Sequence, residues 1–182
     1  RARYLRRAYR AAEAALKNGQ QAEALRILDA ILASDPAYRE AAALVVQART
    51  NAVQELLGVH TYNRKVGAYR GWALRLDSVE VRPDGQLLVR ATITNDTTMR
   101  NHLTCPQNVA DETPSLYLVA PDGEHIPPTQ WACQQWGAQE WDLAGGESMT
   151  FWWQYPALYD ITAPFALVFE PWGSTEIGLM PQ

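Results

Sequence analysis

Two cysteines, Cys105 and Cys133, and three histidines, His60, His102 and His125, are the residues of this chain best suited to nucleophilic or metal chemistry. A structural zinc site needs four ligands at tight spacing, and this scatter does not supply them. His102 and Cys105 are close enough in sequence to make a base and its nucleophile. No third orienting group or oxyanion-binding loop accompanies them. The better reading is a Cys105–Cys133 disulfide, set against two buried free thiols. Closing that loop would stabilise the fold by roughly 3 to 4 kcal/mol in the chain-entropy model, and such bonds persist in oxidising compartments.

Carboxylates offer two further chemistries. Glu140 and Asp142 form an acidic pair of the kind a glycosidase uses, although such pairs on a strand surface mostly serve solvation. Asp122-Gly123-Glu124 and Asp111-Glu112 bring oxygen ligands for calcium without the regular spacing of a calcium loop. No phosphate-cradling glycine loop, His-Glu zinc motif or serine elbow is present, so no cofactor and no catalytic residue is assigned.

The tryptophans point instead to binding. Trp131, Trp136 and Trp141 recur in a Gln-, Gly- and Ala-rich stretch at a spacing that fits neither a helix face nor a strand face. Sugar rings stack on exposed indoles, which makes these three the candidate ligand-binding residues; the competing reading has them covering a core. Trp152 and Trp153 are adjacent, so on a strand they face opposite ways and one of them turns outward. Asn95-Asp96-Thr97 fits a glycosylation acceptor, a triplet common by chance.

The elements that must position these residues divide into two kinds. Of 182 residues, 47% are hydrophobic and 20% charged, with a formal net charge of −4, a folded composition that disfavours a nucleic-acid binder held by phosphate contacts. The charge is unevenly spread. Basic residues, among them Arg3, Arg6, Arg7 and Arg10, outnumber acids up to Leu57, whereas no Lys or Arg follows Arg100. All seven tryptophans lie from Trp72 onward, while Ala crowds the first part. The two parts are built for different secondary structure.

In the first part, Leu5, Ala8, Ala12, Ala15 and Leu16 recur at helical spacing between charged residues, which predicts an amphipathic helix over 4–16. Asn18-Gly19 ends it. Ala24, Leu25, Ile27, Leu28, Ile31 and Leu32 predict a second helix that closes at Ser34-Asp35-Pro36. A third helix, over about 36–57, carries Ala41, Leu44, Val45, Ala48, Ala52, Val53, Leu56 and Leu57. Ala8, Ala12, Gly19, Ala24, Leu28, Ile31 and Pro36 give this part a resemblance to a single tetratricopeptide repeat, with Ala8 standing where a large aromatic is usual. The resemblance implies a docking surface for a peptide or protein, to be weighed against a spacer or oligomerising stalk. The cluster Arg3, Arg6, Arg7 and Arg10 is the candidate docking or membrane-proximal face, with a solvated helix face as the alternative.

From Trp72 the burial period becomes two. Trp72, Leu74 and Leu76, then Val79 and Val81 after a phase slip at Asp77-Ser78, predict a bulged strand. Arg82-Pro83-Asp84-Gly85 turns it into a partner strand carrying Leu87, Val89, Ala91 and Ile93. Further strands are predicted over 116–119, 149–155, 165–170 and 177–179. About seven short strands separated by turns are the signature of an immunoglobulin-like sandwich or a small barrel. The segments Trp72 to Val81 with Leu87 to Asn95, Leu118 to Gly123, and Leu143 to Glu147 leading into Phe151 to Tyr155 resemble the telokin-like or DUF4352 group of bacterial extracytoplasmic domains. Gly145 replaces the Pro usual in that family's last turn. The resemblance implies a binding or structural module outside the cytoplasm.

The expected layout is α+β by segregated parts: a helical segment over 1–57, a linker over 58–71, and an all-β immunoglobulin-like sandwich over 72–182. No run of apolar residues is long enough to span a bilayer, and no signal peptide is present. The chain starts at Arg1 without Met, which leaves an anchor outside these residues as an expectation. The expected function is a noncatalytic extracytoplasmic interaction or structural module, whose partner is a protein or a second copy of itself. The alternative is a carbohydrate-binding module using the exposed tryptophans.

Overall fold

A computed structural model of the chain describes residues 2–105, 116–137 and 140–180. Helices come first and antiparallel sheets follow, so the layout is α+β with segregated parts. Two compact units result. One comprises Arg1–Leu56, Tyr159–Ala163 and Leu179–Gln182, and the other Leu57–Leu158 with Pro164–Gly178. The last of the first three helices ends at Leu56, and two short pieces of the later sequence cluster with the helices.

The helical unit holds α1 (Ala2–Lys17), α2 (Gln21–Ser34) and α3 (Arg39–Leu56). Gly19, at φ 72°, ends α1 in a paired cap: Gln20 N–H donates to the Ala15 carbonyl at 2.9 Å and Gly19 N–H to the Leu16 carbonyl at 3.1 Å. That pattern satisfies carbonyls the helix leaves open and reverses the chain within three residues. The third helix starts later than the sequence predicts. The Asp35 carboxylate accepts the Ala37 N–H at 3.2 Å and the Asp35 carbonyl accepts the Tyr38 N–H at 3.0 Å, so Pro36 lies in a turn ahead of the helix. Leu5 and Ala12 of α1, Leu25, Leu28 and Ile31 of α2, and Ala41, Val45 and Ala48 of α3 form one buried cluster. Alanine at these contacts lets the helices approach closely.

The segment Tyr159–Ala163 completes this unit. The Tyr159 hydroxyl donates to Asp29 of α2 at 2.7 Å, and the guanidinium of Arg49 in α3 lies 4.8 Å from the centre of the Tyr159 ring. Partial burial, with the Asp29 carboxylate adding to it, raises the Tyr159 hydroxyl to about 12. Asp160 accepts both the N–H and the hydroxyl of Thr162, at 2.9 and 2.6 Å, which folds the segment into a tight strap with Ile161 buried.

The sheet unit runs β1 (Gly58–Tyr69), β2 (Trp72–Val81), β3 (Leu87–Asn95), β4 (Asn101–Thr104), β5 (Leu116–Val119), β6 (His125–Ile126), β7 (Gln130–Trp131), a short α4 (Ala132–Trp136), β8 (Glu140–Leu143), β9 (Ser148–Tyr155), β10 (Phe165–Phe169) and β11 (Gly173–Ile177). One sheet has the order β1-β2-β3-β9-β7, a second β11-β10-β5-β6, and β4 pairs with β8 alone. The two larger sheets bury Leu74, Leu76, Val89, Ala91, Phe151, Trp153, Leu118, Leu167 and Phe169, and the ring of Trp153 on β9 meets that of Phe169 on β10 at 5.8 Å, edge to face. The bulge predicted at Asp77 is present, between Leu76 and Ser78. Asp77 uses it to reach Arg75 at 2.8 Å and the Thr92 hydroxyl at 2.6 Å.

The segment 58–71, expected as a linker, is instead β1, the longest strand among the described residues, followed by the Arg70-Gly71 turn into β2. β1 pairs with β2 along its length, with register slips between Thr61 and Arg64 and between Lys65 and Gly67. Those slips, with Asn63 at φ 47°, break the alternation that marks a strand in sequence. The tie to the second sheet is equally hidden: the Arg64 guanidinium donates to the Thr175 hydroxyl at 3.1 Å and the Glu176 carbonyl at 3.0 Å. The last strand is likewise displaced from the predicted 177–179 to Gly173–Ile177, because its Ser, Thr and Glu residues carry no apolar rhythm.

Candidate functional site

Cys105 and Cys133 are bonded, with Cα atoms 6.3 Å apart, in the range ordinary for a disulfide. Both are buried. Cys105 follows β4 and Cys133 sits in α4, so the bond ties the β4–β8 ribbon to the helix that follows β7. It also removes the sulfur from the His102/Cys105 nucleophile reading.

His102 has other partners. On the β4–β8 ribbon it lies opposite Asp142, and Thr104 lies opposite Glu140, which puts His102 and both carboxylates on one face. The ring Nδ1 is 3.0 Å from Asp142 and Nε2 is 3.6 Å from Glu140. The hydrogen bond to Asp142, with smaller contributions from both carboxylate charges, raises the His102 pKa above its ordinary value. The acidic pair considered for sugar hydrolysis is thus engaged by one imidazole.

Asn95 cannot serve as a glycosylation acceptor in the folded chain, because its side chain is completely buried. Its amide nitrogen donates to the carbonyls of Met99 and Leu143, at 2.8 and 2.9 Å. Its side-chain oxygen accepts the N–H and hydroxyl of Thr97, at 3.2 and 2.7 Å. Gly145 belongs to the same junction: a Cβ there would strike the backbone of Thr97 and Thr98, so no Pro fits where the resembled family carries one. Asp122, one calcium candidate, accepts the Glu124 N–H at 3.0 Å within its turn. Asp111 and Glu112 lie outside the described residues.

The three candidate tryptophans do not form one platform. Trp136 and Trp141 meet at 6.0 Å, edge to face, and both pack on Phe151 at 5.7 and 5.4 Å. Trp136 remains 44% exposed. Trp131 instead lines a separate cleft of about 380 Å³ with Trp152, Thr129, Gln130, Gln134 and Gln135. Its indole nitrogen is enclosed and has no hydrogen-bond partner among the described residues. Of the adjacent pair, Trp153 is buried in the core and Trp152 is the half-covered one.

A larger cleft of about 470 Å³ escaped the sequence reading. It is formed where the β1–β2 turn, β4 and the β10–β11 turn meet, bringing together Tyr69, Arg70, Trp72, His102 and Glu170 among others. Its floor is anchored by the Trp172 indole, which donates to the Trp72 carbonyl at 3.1 Å. The Arg70 guanidinium lies 5.1 Å from the centre of the Tyr69 ring, and Glu170 accepts the Tyr117 hydroxyl at 3.3 Å. No motif signals this grouping, because its members come from three separated turns and strands.

In the helical unit, Arg3, Arg6, Arg7 and Arg10 are all exposed on α1, with Leu5 buried on the opposite side. No described helix is long and apolar enough to cross a membrane. No protein-family model matches the chain, and no curated protein matches it.

Proposed function

We propose that this chain is a noncatalytic binding module working outside the cytoplasm, with the helices as a docking or assembly surface and the sheet unit as the binding head. The observation that carries the reading is the buried Cys105–Cys133 bond, since such a bond endures only where thiols are not kept reduced. The exposed guanidinium groups along α1 support docking to an acidic partner or to the acid-rich sheet unit of a second copy. The repeat-like spacing of Ala12, Ala24 and Leu28, all buried, supports the tetratricopeptide-like reading of the helices. The Trp72–Asn95 hairpin and the Phe151–Tyr155 strand support the telokin-like reading of the sheets. A membrane anchor outside these residues would fit both.

The test is the redox state of the chain in the cells that make it. Thiols are alkylated before lysis and the chain is weighed with and without reductant. The expected outcome is no alkylation until reductant is added. Two alkylated cysteines without it would place the chain in a reducing compartment and overturn the reading.

A second reading, carbohydrate binding, draws support from clefts that set aromatic rings beside amide, hydroxyl and charged side chains. A panel of soluble glycans titrated against tryptophan fluorescence tests it, and the absence of any response removes it.

A further inference from the structure

We infer that the cleft at the β1–β2 turn binds a short neutral oligosaccharide, with Arg70 and Glu170 as its polar clamps; this rests on the carbohydrate reading above. Its volume, about 470 Å³, is room enough for a small ligand in an open cleft.

The first argument is conformational. Tyr69 pairs with Trp72, leaving Arg70 and Gly71 as a two-residue hairpin loop. Both have positive φ, 49° and 82°, as the tight loop between twisted strands requires. Glycine or asparagine fills such a position at little cost, whereas a long side chain there is strained. Among the described residues Arg70 is the one residue other than Gly or Asn held this way. Backbone strain of this kind clusters at functional positions, which points to a use for the guanidinium.

The second argument is charge. Arg70 and Glu170 line the same cleft, yet no ion pair joins them and neither has an oppositely charged partner among the described residues. A carboxylate ligand would satisfy Arg70 but meet Glu170, and an ammonium ligand the reverse. A hydroxyl both donates and accepts, so a ring carrying several of them satisfies both walls without net charge. Asn101 and Thr104 add an amide and a hydroxyl to the lining, and the Tyr69 ring, braced by Arg70, offers a flat apolar face for the C–H side of a sugar.

The test uses the whole chain and four probes: cellobiose, maltose, N,N′-diacetylchitobiose and glucuronic acid, titrated by calorimetry and tryptophan fluorescence. At least one neutral disaccharide should bind saturably. Arg70→Gly, which suits the positive φ, and Glu170→Gln should each weaken that binding tenfold or more without lowering Tm. Trp131→Ala should leave it unchanged. Binding lost in Trp131→Ala but kept in Arg70→Gly would overturn this cleft while sparing the carbohydrate reading. Glucuronic acid binding where the neutral sugars do not would overturn the neutral class. Silence of the wild-type chain toward all four probes would overturn the proposal, and silence toward the broader panel would remove the carbohydrate reading with it.

Discussion

Asn95 makes four hydrogen bonds with one fully buried amide, joining the end of β3 to the Met99 and Leu143 carbonyls and to Thr97. Removing it leaves those groups enclosed and unpaired, and each such group costs about 1 to 3 kcal/mol. Asn95→Ala should therefore destabilise the chain by about 3 kcal/mol, read from the urea midpoint at unchanged slope. His102 makes the opposite case, because its ring is exposed and its effect is on protonation. Its pKa, raised above the ordinary 6.5 by the hydrogen bond to Asp142, should appear in a histidine-resolved NMR titration and fall back in Asp142→Asn. Since the folded value is the higher one, what this contact adds to stability is fully present below the ordinary value and is lost as pH rises through the raised one. From sequence, Asn95 shows only a glycosylation triplet common by chance, and His102 only a nearness to Cys105 that the disulfide reading sets aside. Neither reading can see burial or cross-strand register, which are what assign these two residues.

The element that most changes the reading is β1. Gly67 passes so close to the β10–β11 turn that a Cβ there would collide with the Trp172 carbonyl. Gly67→Ala must push one strand aside, and a loss of about 2 kcal/mol or more is expected in thermal or urea unfolding, whereas Gly123→Ala meets open space and pays only for its positive φ. The regular strands, β2, β3, β5, β9 and β10, were legible because alternation and turn chemistry agree along them. β1 was not, since its bulges scramble the alternation and one of its faces stays polar. β4, β7 and β8 are too short to carry a period, and they hold His102, Trp131 and Trp141. The candidate site was for that reason the least legible part: its residues converge only through pairing between distant segments.

At the scale of the molecule, the disulfide and the strap each tie together parts of the chain that are distant in sequence. Cys105 and Cys133 are 28 residues apart, and closing that loop is worth roughly 3 to 4 kcal/mol in the chain-entropy model. Reduction, or the double Cys105→Ala and Cys133→Ala change, should lower stability by about that amount, measured by calorimetry with and without reductant. Tyr159–Ala163 reaches the helices from far along the sequence, and Tyr159→Phe should remove the bond to Asp29 while keeping the ring under Arg49. The expected loss is less than about 1 kcal/mol, because the hydroxyl is partly in water. Cutting the chain after Leu57 discards the ring as well, and the fragment should show less helix by circular dichroism than the intact chain's first three helices account for. A recombination breakpoint at the junction would deliver these helices without their clasp, the Tyr159 ring and hydroxyl that meet Arg49 and Asp29.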